Sequence, residues 1–312
     1  MEQGLFTQTL IQLGCFNKGD FMIFSDVNKH SFKECIDLLQ NEKINEYGFT
    51  PICVYAPLDK ARFCRKDSYA IIKYLDAGKE YTTVLGDFNS NEVQQVLQNL
   101  LNEDGILRME FLSSVKKDIL VNLFKDKVKN ILTDECQSDY IYNVEEFLNM
   151  SGKQNRHKRE QYNAFVKNNN YVYKPISKDN ITDCLLVCDN WCNRKNCEDC
   201  EYTCERNIIK EIVDNFCDYP VDGGIIYIDN KPKAFLLGEF LGDTFMGYHQ
   251  KTTEPIIKGL GCSVYIEAFK NNLTKSKYFN IGPDLGIEGL RQFKRMFKPY
   301  TLIDKFSLII QK

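Results

Sequence analysis

The 312-residue sequence has no run of about 18 apolar residues, which a membrane-spanning helix would need. Its first residues, MEQGLFTQTLIQLG, lack the basic segment and the small-residue cleavage site of a secretory signal. We therefore expect a protein without a transmembrane span that acts in the cytoplasm.

The chain also has little net charge, with 40 Lys and Arg against 43 Asp and Glu. The charges are unevenly placed. Residues 151–312 hold 24 Lys and Arg against 20 Asp and Glu, whereas residues 1–150 hold 16 against 23. The basic second half leaves open a polyanionic partner such as a nucleic acid.

The C-x2-C…C-x2-C pattern of a zinc knuckle, with two such pairs, is absent, although the chain has 13 cysteines. Without a secretion signal we expect these cysteines to be reduced thiols. Six of them crowd residues 184–204, and the first three recur every four residues, as on one helix face. We predict a thiolate site for zinc or iron in the cysteine cluster, which consists of Cys192, Cys197, Cys200 and Cys204. The alternative is that these cysteines serve as small apolar residues.

Apolar periodicity predicts mixed helix and strand in two domains, residues 1–139 and 140–312. In the first we predict a hairpin joined by the turn DAGK, followed by a helix, a strand and a second helix. Residues 51–55 have the composition of a short strand, and residues 128–139 that of a polar connection.

In the second domain, a basic helix precedes a strand, two helices, three antiparallel strands, a helix, a strand, a helix and a strand. From its first strand onward, this is the element order of the GNAT acyltransferase fold. We therefore expect an α/β (α+β) protein of two GNAT-like domains, each a mixed, mostly antiparallel sheet flanked by helices. The first domain has the character of a degenerate copy of the same GNAT-like fold.

Near the end of the chain, NIGPDLGIEGLRQFKRMFKP follows a short strand and predicts a glycine-containing loop and a helix. The apolar residues at helical spacing are Ile287, Leu290, Phe293 and Phe297. The basic residues on a second face are Arg291, Lys294, Arg295 and Lys298. Asp284 stands before the first turn, where a carboxylate suits the helix dipole. The stretch forms either an anion-binding site, made by the strand end, the loop and the helix, or a basic helix exposed to solvent.

This stretch resembles the closing signature of the phosphatidylglycerol lysyltransferase C-terminal domain-like family. The matching residues are Asn280, Asp284, Leu285, Gly286, Ile287, Gly289, Leu290, Arg291 and Lys294. Earlier blocks match in the family's order and consist of Gly152, Lys153, Lys158, Arg159, Phe165, Trp191, Glu205, Gly223, Gly224, His249 and Lys251. Four positions depart from the family's usual residues, namely Glu160, Gln250, Gly282 and Met296. The resemblance implies a tandem GNAT-like pair and, in lipid-modifying relatives, an aminoacyl-tRNA donor and a lipid acceptor.

Transfer of an aminoacyl group needs a base for the acceptor and a cation for the developing oxyanion. His249 could be the base, and Lys251 or Arg291 the cation. Asp284 could orient Arg291 or act as a base. Because neighbouring strand ends share one edge of a sheet, we predict that these four residues converge at one cleft.

Donor binding would draw on other residues. Lys153, Lys158, Arg159 and Lys294 could contact the phosphates of a tRNA. Gly259 and Gly261 keep the two glycines of a coenzyme A loop, but its first basic or amide residue is absent.

The sequence therefore predicts an aminoacyltransferase that uses aminoacyl-tRNA and a small amine or hydroxyl acceptor. One alternative is an N-acyltransferase that depends on acyl-coenzyme A. The other is a catalytically silent binding protein of the same fold, which Gly282 and Met296 favour.

Overall fold

A computed structural model describes residues 22–195, 204–253 and 257–312. Within these ranges the helices are α1 (Ile36–Leu39), α2 (Phe49–Asp59), α3 (Asn91–Asp104), α4 (Ser114–Phe124), α5 (Val144–Leu148), α6 (Arg156–Asn168), α7 (Asp183–Lys195), α8 (Glu205–Asp214), α9 (Leu260–Asn271) and α10 (Glu288–Met296). The strands are β1 (Ser25–Asp26), β2 (Arg62–Arg65), β3 (Tyr69–Asp76), β4 (Lys79–Gly86), β5 (Ile106–Leu112), β6 (Val128–Thr133), β7 (Asp139–Asn143), β8 (Tyr171–Pro175), β9 (Val221–Ile228), β10 (Lys231–Leu241), β11 (Thr244–Thr252), β12 (Tyr278–Asn280), β13 (Thr301–Ile303) and β14 (Phe306–Gln311).

The strands form three sheets. The second half carries a seven-stranded sheet in the order β13-β7-β12-β11-β10-β9-β8, in which only β11 and β12 run parallel. The first half has a four-stranded sheet, β1-β2-β3-β4, and a three-stranded sheet, β5-β14-β6. This α/β architecture, with mostly antiparallel sheets flanked by helices, confirms the predicted fold class.

The two halves interlock through their strands. The last strand, β14, lies between β5 and β6 of the first half. Strand β7 follows β6 in the chain but lies between β12 and β13 of the second half. The boundary between residues 139 and 140 stays a prediction, and β14 crosses back over it.

Strands β11 and β12 pair over a short distance only. Their register joins Thr244 to Tyr278, Phe245 to Phe279 and Met246 to Asn280. Beyond Met246, β11 continues to Thr252 with β10 as its partner. This second part of β11 carries His249 and Lys251, which lie two residues apart and therefore on one face of the strand.

The predicted strand at residues 51–55 is wrong, because these residues lie within helix α2. Pro51 is in the first turn, where its missing N–H does not break the helix. The carboxylate of Glu239, on β10, accepts hydrogen bonds from the backbone N–H groups of Phe49 and Thr50 at 2.5 and 3.0 Å. A residue 190 positions away thus caps the helix and joins the two halves.

The predicted polar connection at residues 128–139 also needs correction, because it contains strand β6. Five of the six residues of β6 are exposed, among them Ile131 and Leu132. Among the described residues, no helix has the length and apolar character to cross a membrane.

Candidate functional site

The four residues predicted to act in catalysis lie in two hydrogen-bonded groups. His249 and Lys251 contact Glu205, and together with Trp191 we call these residues the His249 cluster. Asp284 and Arg291 contact each other. Their predicted meeting at a single cleft stays a prediction.

Glu205 is the centre of the His249 cluster. It opens helix α8, where its negative charge suits the N-terminal end of the helix dipole. Its carboxylate lies 2.9 Å from Nδ1 of His249 and accepts a hydrogen bond from Nζ of Lys251 at 2.5 Å. Nζ of Lys251 also lies 4.1 Å from the centre of the Trp191 ring, within the range of a cation–π interaction. One carboxylate and one ring therefore fix both side chains from β11.

The cluster is partly covered. The side chains of His249 and Lys251 are 9% and 12% exposed, whereas that of Glu205 is 36% exposed. Burial alone would raise the pKa of Glu205, but the hydrogen bond from His249 and the charge of Lys251 outweigh it and lower the pKa to about 2. Glu205 is therefore ionised at neutral pH and orients the imidazole through Nδ1. Nε2 of His249 has no hydrogen-bond partner among the described residues.

Asp284 and Arg291 form a bidentate ion pair. Nε and Nη2 of Arg291 donate to the two carboxylate oxygens at 2.9 and 3.0 Å. The hydroxyl of Tyr140 and the backbone N–H of Gly286 donate to the same carboxylate at 2.7 and 2.9 Å. The hydrogen bond from Arg291 dominates and holds the pKa of Asp284 well below its usual range. Of the two roles suggested for Asp284, this geometry favours orienting Arg291 over acting as a base.

Lys294 is buried and holds the loop that follows β12. Its Nζ donates to the backbone carbonyls of Ile281, Gly282 and Pro283 at 2.5, 2.9 and 2.6 Å. Burial lowers the pKa of Lys294 to about 8. Gly282 has a φ of 67°, a conformation that favours glycine, so its departure from the usual residue matches the local backbone.

The basic segment at the start of α6 is also less exposed than its sequence indicates. Lys158 is buried, its amine bound to the carbonyl of Phe147. The guanidinium of Arg159 donates to the carbonyls of Met150 and Gly152. The prediction that Lys158 and Lys294 lie on exposed basic faces is therefore wrong. Both amines are buried, where they donate hydrogen bonds to backbone carbonyls. Lys153 is exposed.

Comparison with known proteins identifies the family. The profile described as "Phosphatidylglycerol lysyltransferase, C-terminal" matches residues 104–309, more than half of the chain. The chain belongs to this family. No curated protein matches the sequence.

Solved structures share the fold. A conserved protein of unknown function from Bacteroides thetaiotaomicron is 24% identical and superposes with a TM-score of 0.85, over 93% of this chain and 100% of the other. The C-terminal domain of a putative lysylphosphatidylglycerol synthetase from Agrobacterium fabrum is 10% identical, with a TM-score of 0.65 over 92% of each chain. L-PGS from Bacillus licheniformis is 14% identical, with a TM-score of 0.63 over 91% of this chain and 93% of the other.

Of the two glycines of the suggested coenzyme A loop, Gly259 has a packing role in this family member. Gly259 precedes α9 with a φ of 83°, and a Cβ there would lie 2.2 Å from the carbonyl oxygen of Gln161 on α6. At Gly261, a Cβ would lie 3.4 Å from the ring of Phe293 on α10. Gly259 thus lets α6 approach the start of α9 closely, whereas a Cβ at Gly261 would make an ordinary van der Waals contact.

The cysteine cluster is described only in part, because Cys197 and Cys200 lie outside the described residues. The described residues contain no group of His, Cys, Asp and Glu arranged to hold a metal. Cys184 and Cys188 are buried on α7 against the sheet. Burial raises the pKa of Cys188 to about 12, as expected for a thiol used in packing. The metal site stays a prediction.

Sequence reasoning missed a buried ionic network between the two halves. Nζ of Lys305 lies 2.5 Å from a carboxylate oxygen of Glu46 and 2.7 Å from one of Asp139. The second oxygen of Asp139 accepts a hydrogen bond at 2.8 Å from the side-chain amide of Asn280, a residue of the family signature. The 259 positions between Glu46 and Lys305 leave no local pattern from which to find the pair.

Proposed function

We propose that the protein is an aminoacyltransferase that takes an aminoacyl group from aminoacyl-tRNA and passes it to a small amine or hydroxyl acceptor. The observation that carries this proposal is the His249 cluster, in which a carboxylate orients an imidazole beside a lysine. The family name describes transfer of a lysyl group to phosphatidylglycerol, which supports aminoacyl transfer as the class of chemistry.

In the proposed reaction, Nε2 of His249 takes a proton from the acceptor amine or hydroxyl. The acceptor then attacks the ester carbonyl that joins the amino acid to the tRNA. Glu205 stabilises the imidazolium that forms, because its ionised carboxylate contacts Nδ1. The proton then passes to the ribose hydroxyl as it leaves.

Lys251 is proposed to stabilise the oxyanion that develops on the ester carbonyl. Its ammonium is held by Glu205 and the Trp191 ring, so little reorganisation is needed as negative charge appears. Arg291 and Asp284 are proposed to fix the loop after β12 next to the donor. The side chain of Arg291 is 28% exposed and can still contact an anionic ligand.

Two observations favour tRNA over coenzyme A as the donor. The close packing of α6 against Gly259 accounts for this glycine without a pyrophosphate. Residues Lys153, Arg295 and Lys298 are exposed cations of the second half that can meet phosphates.

The experiment that tests the proposal compares donors. Purified protein is incubated with a mixture of small amines and alcohols, and with either labelled aminoacyl-tRNA or labelled acetyl-coenzyme A. We expect label to move to an acceptor from the tRNA only. Transfer from coenzyme A would contradict the choice of donor. Absence of transfer from both would favour a silent binding protein.

A further inference from the structure

A cavity of about 290 Å³ lies in the first half and is lined by residues other than those assigned to transfer. Helix α2 forms one wall of the cavity, and strands β3 and β4 form a second. The side chain of Phe111, on β5, forms the third wall. Its surface is mainly apolar, as in most pockets for small organic ligands. Tyr55 on its wall is 39% exposed, which leaves a ligand a route from solvent.

A β-bulge shapes the wall formed by β5. The pairing with β14 joins Leu112 to Phe306 and Met109 to Leu308, so Glu110 and Phe111 together face a single residue. Phe111 has a φ of 54°, which is unusual for a residue with a bulky side chain. The bulge directs its ring into the cavity, next to Tyr47 and Tyr74.

The charge at the cavity is negative. Among its described lining residues, Glu46 and Asp59 carry carboxylates and there is no Lys or Arg. The carboxylate of Glu110 lies just behind the wall, where it accepts a hydrogen bond from the hydroxyl of Tyr74 at 2.7 Å. Lys305 forms ion pairs with both Glu46 and Asp139. Its single positive charge therefore does not neutralise both carboxylates.

Asp59 has no partner that explains its position. It forms no hydrogen bond or ion pair with any described residue. It is also the last residue of α2, where the helix dipole is itself negative. A carboxylate in this position, on the wall of a mainly apolar cavity, is stabilised when a cation binds beside it.

The aromatic walls also favour a cation. Four of the lining residues are aromatic: Tyr47, Tyr55, Tyr74 and Phe111. Ring faces attract ammonium groups, and the attraction increases when water is excluded. An apolar body would fill the remainder of the cavity, between Ile52 and Ile72.

From this combination of cavity, rings and unpartnered carboxylate, we propose that the first half binds a small organic ammonium ion with an apolar body. Asp59 contacts the charged end, and Tyr55 lies over it at the rim. A neutral ligand of the same shape leaves Asp59 unpaired, and an anion is repelled by the carboxylates.

The test is direct binding, measured at pH 8 by titration calorimetry or ligand-observed NMR on the full chain. The probes are phenethylamine, its neutral isostere 2-phenylethanol and the anion phenylacetate. No donor is present, so the result does not depend on whether transfer occurs. We expect phenethylamine to bind at least roughly tenfold more tightly than 2-phenylethanol, and phenylacetate not to bind.

Two variants locate the site. In Asp59→Asn and in Tyr55→Leu, we expect the preference for phenethylamine over 2-phenylethanol to disappear, with an unchanged melting temperature. The matched control is Asp126→Asn, which removes an exposed carboxylate outside the cavity and should keep the preference. Equal binding of amine and alcohol by the unaltered protein would overturn the proposal. So would absence of amine binding, or a preference that survives Asp59→Asn.

Discussion

The network between the halves predicts a specific pH dependence of stability. Lys305 supplies one positive charge for two carboxylates, those of Glu46 and Asp139. Burial, followed by the negative charge of Asp139, raises the pKa of Glu46 from an ordinary 4.5 to about 7, against the opposing effect of Lys305. The folded protein should therefore hold a proton on Glu46 more tightly than the unfolded chain does.

The sign and size of the effect follow from this rise in pKa. A raised carboxyl pKa stabilises the folded state below pH 4.5, and this contribution is lost as the pH rises towards 7. Each pH unit of difference corresponds to about 1.4 kcal/mol, which sets an upper limit of about 3 kcal/mol. Because the Glu46 side chain is 29% exposed, solvent screening reduces the effect, and we expect about 1–3 kcal/mol.

The perturbation is Glu46→Gln, which removes the titration and keeps the shape. Free energies of unfolding are measured by urea titration at pH 5, 6, 7 and 8. We expect the stability of the variant relative to the unaltered protein to rise by about 1–3 kcal/mol between pH 5 and pH 8. Glu103→Gln, at an exposed position of α3, is the matched control and should show no trend. The reasoning would be refuted if the difference in free energy of unfolding between Glu46→Gln and the unaltered protein stayed constant with pH. It would also be refuted if the stability of the variant relative to the unaltered protein fell as the pH rose.

Three further predictions concern stability, donor binding and metal content. Glu239→Ala leaves the buried N–H groups at the start of α2 without their acceptor and should cost about 3 kcal/mol in urea unfolding, whereas a loss as small as that of Glu103→Ala would contradict the cap. Lys153→Gln and Lys298→Gln should each lower the salt slope of tRNA binding by about one, and unchanged slopes would remove these residues from the binding surface. Elemental analysis should find about one equivalent of zinc or iron if the cysteine cluster holds a metal, while less than about half an equivalent would assign its thiols to packing.

Much of the fold could be predicted because its signals are local. The hairpin of β3 and β4 is marked by its turn, where Ala77 and Gly78 have positive φ. Helix α2 was missed because its N-terminal cap comes from Glu239, a distant residue that no local pattern connects to it. The place of β14 in the first half is also a tertiary feature, since the final strand alone does not indicate which sheet receives it.

The candidate site was predictable where the spacing itself fixes geometry. His249 and Lys251 lie two residues apart on a strand, and they do contact the same carboxylate. The helical spacing of α10 was less informative. Lys294 turns inward to backbone carbonyls, and Ile287 of the predicted apolar stripe is 56% exposed, whereas Phe297 is buried. The sequence alone does not distinguish a solvated lysine from one that holds a buried loop, because both carry the same charge.

The central claim is that Lys251 acts on the ester carbonyl within the His249 cluster. The most direct measurement is the rate of aminoacyl transfer under single-turnover conditions for Lys251→Ala, beside its melting temperature. Lys231→Ala, at an exposed position of β10, is the control. We predict a rate roughly 10²–10³ lower for Lys251→Ala, with a small change in melting temperature, and an unaltered rate for the control. An unchanged rate in Lys251→Ala, or a loss of rate that only follows a loss of stability, would contradict the account.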